Sequence, residues 1–121
     1  DYRPAVRAEN KIKKEQHDHL NIELTENPDI LYGLGQKKTH QFLVGFAAET
    51  RDVIEYGKAK LAKKNLNLLV ANDVAQQGAG FNVSTNIAAL IYKDGHIEQY
   101  LKMTKDDLGH IIIEKIAEGI N

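Results

Sequence analysis

Phe42-Leu43-Val44-Gly45-Phe46-Ala47-Ala48 is a continuous apolar run of strand length, the pattern of a strand covered on both faces rather than one. Thr50 follows as a helix cap, and the helix it opens extends to about Asn65. Leu66 to Ala71 is a second apolar run of strand length, ended by Asn72-Asp73. A strand, a helix and a strand in that order form the unit that pairs strands in parallel through a right-handed crossover. Upstream, Leu20 to Thr25 alternates apolar and polar, as a half-buried strand does. Asn27-Pro28-Asp29 then starts a helix, with Asn27 as N-cap and Pro28 at the first helical position, running to about Lys38. Residues 1–19 lack a period and read as loop, as does the Gln/Gly-rich stretch from Gln76 to Gly80. Downstream, Ile87 to Tyr92 and Ile97 to Leu101 flank Lys93-Asp94-Gly95, a hairpin signal. Thr104-Lys105-Asp106-Asp107 is a capping-box-like entry to a last helix, with an apolar stripe of Leu108, Ile111, Ile112 and Ile116. The expected fold is α/β: a three-layer, Rossmann-like, mainly parallel sheet finished by a C-terminal β-hairpin and a covering helix. Residues 1–121 form a single domain in this reading.

The composition narrows the function classes. A chain of 121 residues with 42% hydrophobic content is long enough to bury a core without disulfides or metals. With no cysteine, disulfide frameworks, zinc–thiolate clusters and thiol nucleophiles drop out. Sixteen Lys and Arg against seventeen Asp and Glu argue against a nucleic-acid polymer as partner. The lysines cluster, however, at Lys11, Lys13 and Lys14, at Lys37 and Lys38, and at Lys58, Lys60, Lys63 and Lys64. Such clusters suit a discrete anion or are simply solvated surface. No apolar run reaches bilayer length and no signal region opens the chain, so no membrane partner and a cytoplasmic location are expected. The opening Asp1-Tyr2-Arg3-Pro4, without an initiator Met, suggests a fragment, a processed chain or the ordered part of something longer.

Ligands of open parallel sheets bind outside the carboxyl ends of the strands. Those ends here are Gly45 to Thr50 and Val70 to Asp73. Gly45, Ala47 and Ala48 either admit a ligand or allow tight helix–sheet packing. At about 100° per residue, Lys60 and Lys64 lie roughly 40° apart beside Val53 and Gly57, while Lys63 points to the far side. The pair is either a phosphate clamp or two lysines snorkelling over apolar surface. Gly33-Leu34-Gly35 and Gly78-Ala79-Gly80 are bare GxG fragments without the strand a dinucleotide fingerprint requires. His17-Asp18-His19 has no further ligand at a recognised metal spacing, and no G-x-S-x-G elbow is present.

Asp1-Tyr2-Arg3-Pro4, Lys11-Ile12-Lys13-Lys14, Asn27-Pro28-Asp29-Ile30-Leu31 and Val44-Gly45-Phe46-Ala47-Ala48-Glu49-Thr50 resemble, in order, segments of phosphopantothenoylcysteine synthetases. So do Ala59 to Leu66, Ala71-Asn72-Asp73-Val74, Gly80-Phe81-Asn82 and Asn86. The resemblance implies a two-step reaction of coenzyme A synthesis. The carboxylate of 4′-phosphopantothenate attacks the α-phosphate of CTP, and the amine of L-cysteine then displaces the nucleotide from the acyl-cytidylate. Mg²⁺ accompanies the phosphates. It further implies that Asp1, Lys11, Pro28, Asp29, Ile30, Leu31, Phe46, Lys60 and Lys64 bind the nucleotide. Lys11 is the catalytic position, turning the acyl-cytidylate over, and Lys60 and Lys64 hold the phosphates. Lys60 is nevertheless roughly 15 Å along the helix from Thr50 at 1.5 Å per residue, so its stem, a bent ligand or a neighbouring subunit must close that distance. The resemblance also implies a homodimer and a fused or partner flavin-dependent decarboxylase domain.

The family's upstream half carries a Gly-rich turn and an Asn-containing loop, and this chain begins after both. A non-catalytic nucleotide-binding fragment is therefore the alternative, with a structural α/β domain as the third class. CTP is favoured over ATP by the resemblance alone.

Overall fold

The computed structural model describes residues 1–14, 18–76 and 84–121. Along the chain these form β1 (Tyr2–Pro4), β2 (Leu24–Glu26), α1 (Ile30–Lys37), β3 (Val44–Glu49), α2 (Val53–Lys63) and β4 (Leu68–Asp73). There follow β5 (Thr85–Asn86), β6 (Ala88–Tyr92), β7 (Ile97–Gln99), β8 (Met103–Thr104) and α3 (Lys105–Ile120). The main sheet has the order β3-β4-β6-β7. β3 and β4 pair in parallel, Val44 opposite Leu68, while β4–β6 and β6–β7 are antiparallel.

β4 lies inside the sheet, and Leu68, Leu69, Val70 and Ala71 are all buried. This is why the sequence there is unbroken apolar rather than alternating. Leu69 and Ala71 face a core with Leu61 of α2, Ile91 and Leu66, against which Leu31 of α1 packs. Leu68 and Val70 face the other core, with Leu90 and with Leu108 and Ile112 of α3. Helices thus cover both faces, giving the three layers, the hairpin and the covering helix expected. α2 approaches the sheet closely because residue 57 is glycine: a Cβ there would stand 2.4 Å from Ile91 Cδ1.

The sheet is mixed, with one parallel pair among the described residues. The stretch over 20–25 is not one of its strands. Only Leu24–Glu26 is extended, and it pairs with Tyr2–Pro4 in a separate antiparallel ribbon. The alternating Leu20, Ile22 and Leu24 remain 59%, 66% and 55% exposed, so the period is present without the burial it normally reports. The helix caps also move. Asp29, not Asn27, caps α1 and accepts from the Tyr32 N–H. Asp52, not Thr50, precedes α2, in the left-handed region at φ 47° and without a side-chain cap bond. Thr104 caps α3 as expected, accepting from the Asp107 N–H at 3.1 Å. The expected loop from Gln76 to Gly80 falls, beyond Gln76, outside the described residues.

α2 ends in a Schellman turn. Asn65 N–H donates to the Ala62 carbonyl and Leu66 N–H to the Leu61 carbonyl, at 3.2 and 3.0 Å. Asn65 takes the left-handed conformation, φ 53°, which glycine usually fills. Asparagine adds a side-chain bond, its Nδ2 donating to the Gly35 carbonyl at 2.9 Å. Gly35 in turn lets α1 touch this turn, since a Cβ there would lie 1.9 Å from the Lys64 carbonyl oxygen. Lys38 Nζ closes the junction by donating to the Asn65 carbonyl and to Asn67 Oδ1, both at 2.8 Å. Partial burial, and then the Lys93 charge, lower the pKa of that ammonium.

On the other face, Glu98 of β7 ties the hairpin to α3. It accepts from the Tyr100 hydroxyl at 2.6 Å and lies 3.2 Å from His96 Nε2 and 3.4 Å from Lys115 Nζ. The Tyr100 bond, with His96 and Lys115 after it and burial opposing, holds the Glu98 carboxyl below the ordinary glutamate range. The same bond pushes the Tyr100 hydroxyl up to about 12.

Asn65→Ala should destabilise the fold by about 2 kcal/mol, through the left-handed backbone and the lost side-chain bond. Asn65→Gly should cost about half as much, as read from urea unfolding midpoints. A depressed folded pKa contributes stability that is present above the unfolded value and lost as pH falls through the folded one. Glu98→Gln should therefore flatten the fall in Tm between about pH 5 and pH 3, and an unchanged acid limb would contradict this.

Candidate functional site

A cavity of about 690 Å³ lies where the β1–β2 ribbon, the start of α1 and the end of α2 meet. Its walls are Asp1, Tyr2, Glu26, Asn27, Pro28, Asp29, Ile30, Leu31, Tyr32, Lys63 and Lys64. The ribbon sets the first wall. Tyr2 pairs with Glu26, and Asn27 N–H donates to the Asp1 carbonyl at 2.9 Å. Arg3 Nη1 donates to the Glu26 carbonyl at 2.8 Å and to Asn27 Oδ1 at 3.1 Å. Asp1 is therefore held beside Pro28 by backbone and guanidinium together. Gly35 and Asn65 set the second wall by fixing α1 against the α2 terminus, which brings Lys64 alongside Asp29.

Asp29 has two partners. One oxygen accepts from the Tyr32 N–H at 3.0 Å, and the other lies 3.2 Å from Lys64 Nζ. The Tyr32 bond leads in lowering the Asp29 pKa, with the Lys64 and Lys63 charges adding to it against partial desolvation. Asp29 is thus a carboxylate at neutral pH that caps a helix and steers a lysine. The first α1 turn borders the same space; Asp29 takes its Tyr32 N–H, and the Ile30 and Leu31 N–H groups lack intrahelical partners. Three carboxyl side chains and two ammonium groups line the cavity. An anion entering it gains from the lysines and the helix start, and is favoured further if it carries a cation of its own.

Six of the residues singled out in the sequence come together here: Asp1, Pro28, Asp29, Ile30, Leu31 and Lys64. Three do not. Lys11 is exposed in a segment without regular structure, away from the cavity walls. Phe46 is 65% exposed and shares the β3 face of Val44, which packs toward α3, opposite to the α1–α2 side. Lys60 forms an ion pair with Glu49. Its stem does reach back to the end of β3, as the distance argument required, but the charge it meets there is a carboxylate.

Tyr2 and Lys63 escaped the sequence reading. A three-residue strand in a polar stretch gives no period to read. Lys63 was placed on the far side by ideal helical rotation, yet it lines the cavity beside Lys64. Helical rotation fixes the Cα–Cβ direction, not where a flexible four-carbon stem ends, and Lys64 still donates its N–H to the Lys60 carbonyl at 3.0 Å. Gly45 and Ala47 serve packing: a Cβ on Gly45 would meet Leu66 and Leu31 side chains at 2.6 and 2.9 Å, and Ala47 is buried. The carboxyl end of β4 borders only a small cleft of about 130 Å³, with Val53, Ile54 and Asp73. His17, Gly78-Ala79-Gly80 and Gly80-Phe81-Asn82 lie outside the described residues.

Among the described residues no three His, Asp or Glu side chains converge as a metal cluster. Among the described residues no helix is long and apolar enough to cross a membrane.

Residues 1–120 match the family model of the DNA/pantothenate metabolism flavoprotein C-terminal domain. The coenzyme A biosynthesis bifunctional protein CoaBC of Bacillus subtilis is 47% identical over 117 residues, covering 97% of this chain and 29% of that protein. Its Escherichia coli K12 counterpart is 42% identical over 121 residues, again covering 97% and 29%. The chain thus spans less than a third of the length of these relatives. A crystal structure of the C-terminal domain of a coenzyme A biosynthesis bifunctional protein CoaBC superposes with a TM-score of 0.72 at 36% identity, covering 96% of this chain and 47% of that one. The DNA/pantothenate metabolism flavoprotein from Streptococcus pneumoniae shares the fold, with a TM-score of 0.65 at 22% identity over 81% of this chain and 42% of that one. On the match over nearly its whole length, the chain belongs to the family of DNA/pantothenate metabolism flavoprotein C-terminal domains.

Proposed function

We propose that this chain supplies the nucleotide pocket for the amide-forming step of coenzyme A synthesis, the ligation of 4′-phosphopantothenate to L-cysteine through an acyl-cytidylate. The observation that carries this reading is convergence. Asp1, Pro28 to Leu31 and Lys64 come from three separate segments, were assigned to a nucleotide by resemblance, and line one cavity. Its volume of about 690 Å³ is of the size small-molecule sites have.

A carboxylate has no good leaving group at neutral pH, and transfer of a nucleotide monophosphate to it provides one. In this reading Lys64, held by Asp29, sits at the phosphate chain. The α1 start offers N–H groups, and Tyr2 and Ile30 give apolar surface for the rest of the nucleotide. Mg²⁺ enters with CTP as part of the substrate. Lys60 acts from outside the cavity by exchanging Glu49 for phosphate, and Phe46 contributes from the face it exposes. Lys11 stabilises charge on the phosphate and acyl oxygens as cysteine attacks. Cytoplasmic location, a homodimer and a fused or partner flavin-dependent decarboxylase belong to the same proposal. The position of Lys11, away from the cavity walls, favours a second reading of the isolated chain as a nucleotide-binding unit without turnover.

Calorimetric titration of the 121-residue chain with Mg²⁺ and CTP, ATP or CMP should give binding with CTP preferred. Absence of binding by a folded sample would remove the nucleotide reading. Lys64→Ala should weaken CTP about tenfold while CMP changes little, and equal losses would displace Lys64 from the phosphates. In the bifunctional parent context, Lys11→Gln should leave acyl-cytidylate formation measurable and slow amide formation. Equal loss of both steps would refute that role.

A further inference from the structure

Two lysines close the α2 side of the cavity, and only one is committed. Lys64 is paired with Asp29, whereas Lys63, on the same wall, is exposed and makes no hydrogen bond or ion pair among the described residues. Lys60 is likewise taken up, by Glu49. We infer that Lys63 is a phosphate-binding residue of this site, the uncommitted cation that receives the polyphosphate end of a nucleotide. This rests on the nucleotide reading above and adds to it a residue that neither helical spacing nor resemblance selected.

The helix end makes the arrangement available. Successive residues of a regular helix point about 100° apart, so short side chains there would not share a ligand. Here both line one cavity at the helix end, where the long, flexible stem of lysine lets the ammonium depart from the direction of its Cβ. Energetics then separates the two. A phosphate that engages Lys64 competes with its direct pair to the Asp29 carboxylate, while one that engages Lys63 competes only with the weaker through-space attraction of that carboxylate. Asp1, Glu26 and Asp29 supply three negative charges to the same cavity. Without Lys63 the only cationic side chain left on its walls is one already paired, so its removal is felt most by the most highly charged ligand.

A lysine in the last turn of a helix also complements the carbonyl dipoles there, and a purely structural Lys63 would act through stability instead. The two roles separate in one experiment. The 121-residue chain, its Lys63→Gln variant and its Lys63→Arg variant are titrated with Mg²⁺–CTP, with CMP and with inorganic tripolyphosphate, at two salt concentrations, alongside thermal melts. The expected result is a loss of about tenfold for CTP and tripolyphosphate in Lys63→Gln. CMP should stay within about twofold, the salt dependence should be shallower, and Lys63→Arg should bind as the parent does. Unchanged CTP affinity in a folded Lys63→Gln variant overturns the assignment and leaves the nucleotide reading standing. Equal weakening of CMP and CTP, or a lowered Tm with unchanged affinities, also overturns it. Failure of the parent chain to bind CTP ends both.

Discussion

The contact between the carbonyl oxygen of Lys64 and the Cα of Gly35 is the constraint on which the rest of this molecule depends. It allows α1 to meet the end of α2 without an intervening side chain. The left-handed turn at Asn65 presents that carbonyl, and the Asn65 side chain bonds the helix end it faces. Lys38 and Asn67 satisfy the remaining polar groups, with Asn67 Oδ1 also accepting from the Leu43 N–H at 2.9 Å. One junction therefore sets the α1–α2 distance, the entry into β3 and the entry into β4. The cavity depends on the same fit, since its second wall combines the start of α1 with the end of α2 that this junction fixes.

Charge is distributed so that the cavity is neither a plain anion trap nor neutral. Each paired lysine near it carries its own carboxylate, Asp29 for Lys64 and Glu49 for Lys60. Such pairs position ammonium groups at little net gain in charge, which favours shape and orientation over bulk attraction. The near-neutral composition of the whole chain, sixteen basic against seventeen acidic residues, is the same design on a larger scale.

How much of this was legible in the residues depends on which signal each element leaves. The run of β3 signals a strand but not the two-sided cover expected of it, since Phe46 and Ala48 are exposed. β4, β6 and α3 announce themselves because burial forces an apolar run or stripe. The ribbon does not: Tyr2–Pro4 is too short for a period, and Leu20 to Thr25 carries the alternation of a buried strand while its apolar side stays exposed. For the site, residue types at Pro28 to Leu31 and at Lys64 were enough to mark a nucleotide pocket by resemblance. Lys63 was lost for a geometric reason, because helical rotation gives the direction of a Cβ and not the reach of a lysine stem at a helix end. The pairing of Lys60 with Glu49 was equally hidden, since the two are linked only once α2 lies along β3.

β3 lies at the margin of the four-stranded sheet and, among the described residues, pairs on one side only. Its outer row of backbone donors and acceptors borders Val44 to Ala48, which carries no charge and no proline, with the Phe46 ring standing out beside it. Such an edge is a template for strand addition by another polypeptide. The segment that organises the fold therefore also offers a backbone edge on which a further strand can be laid.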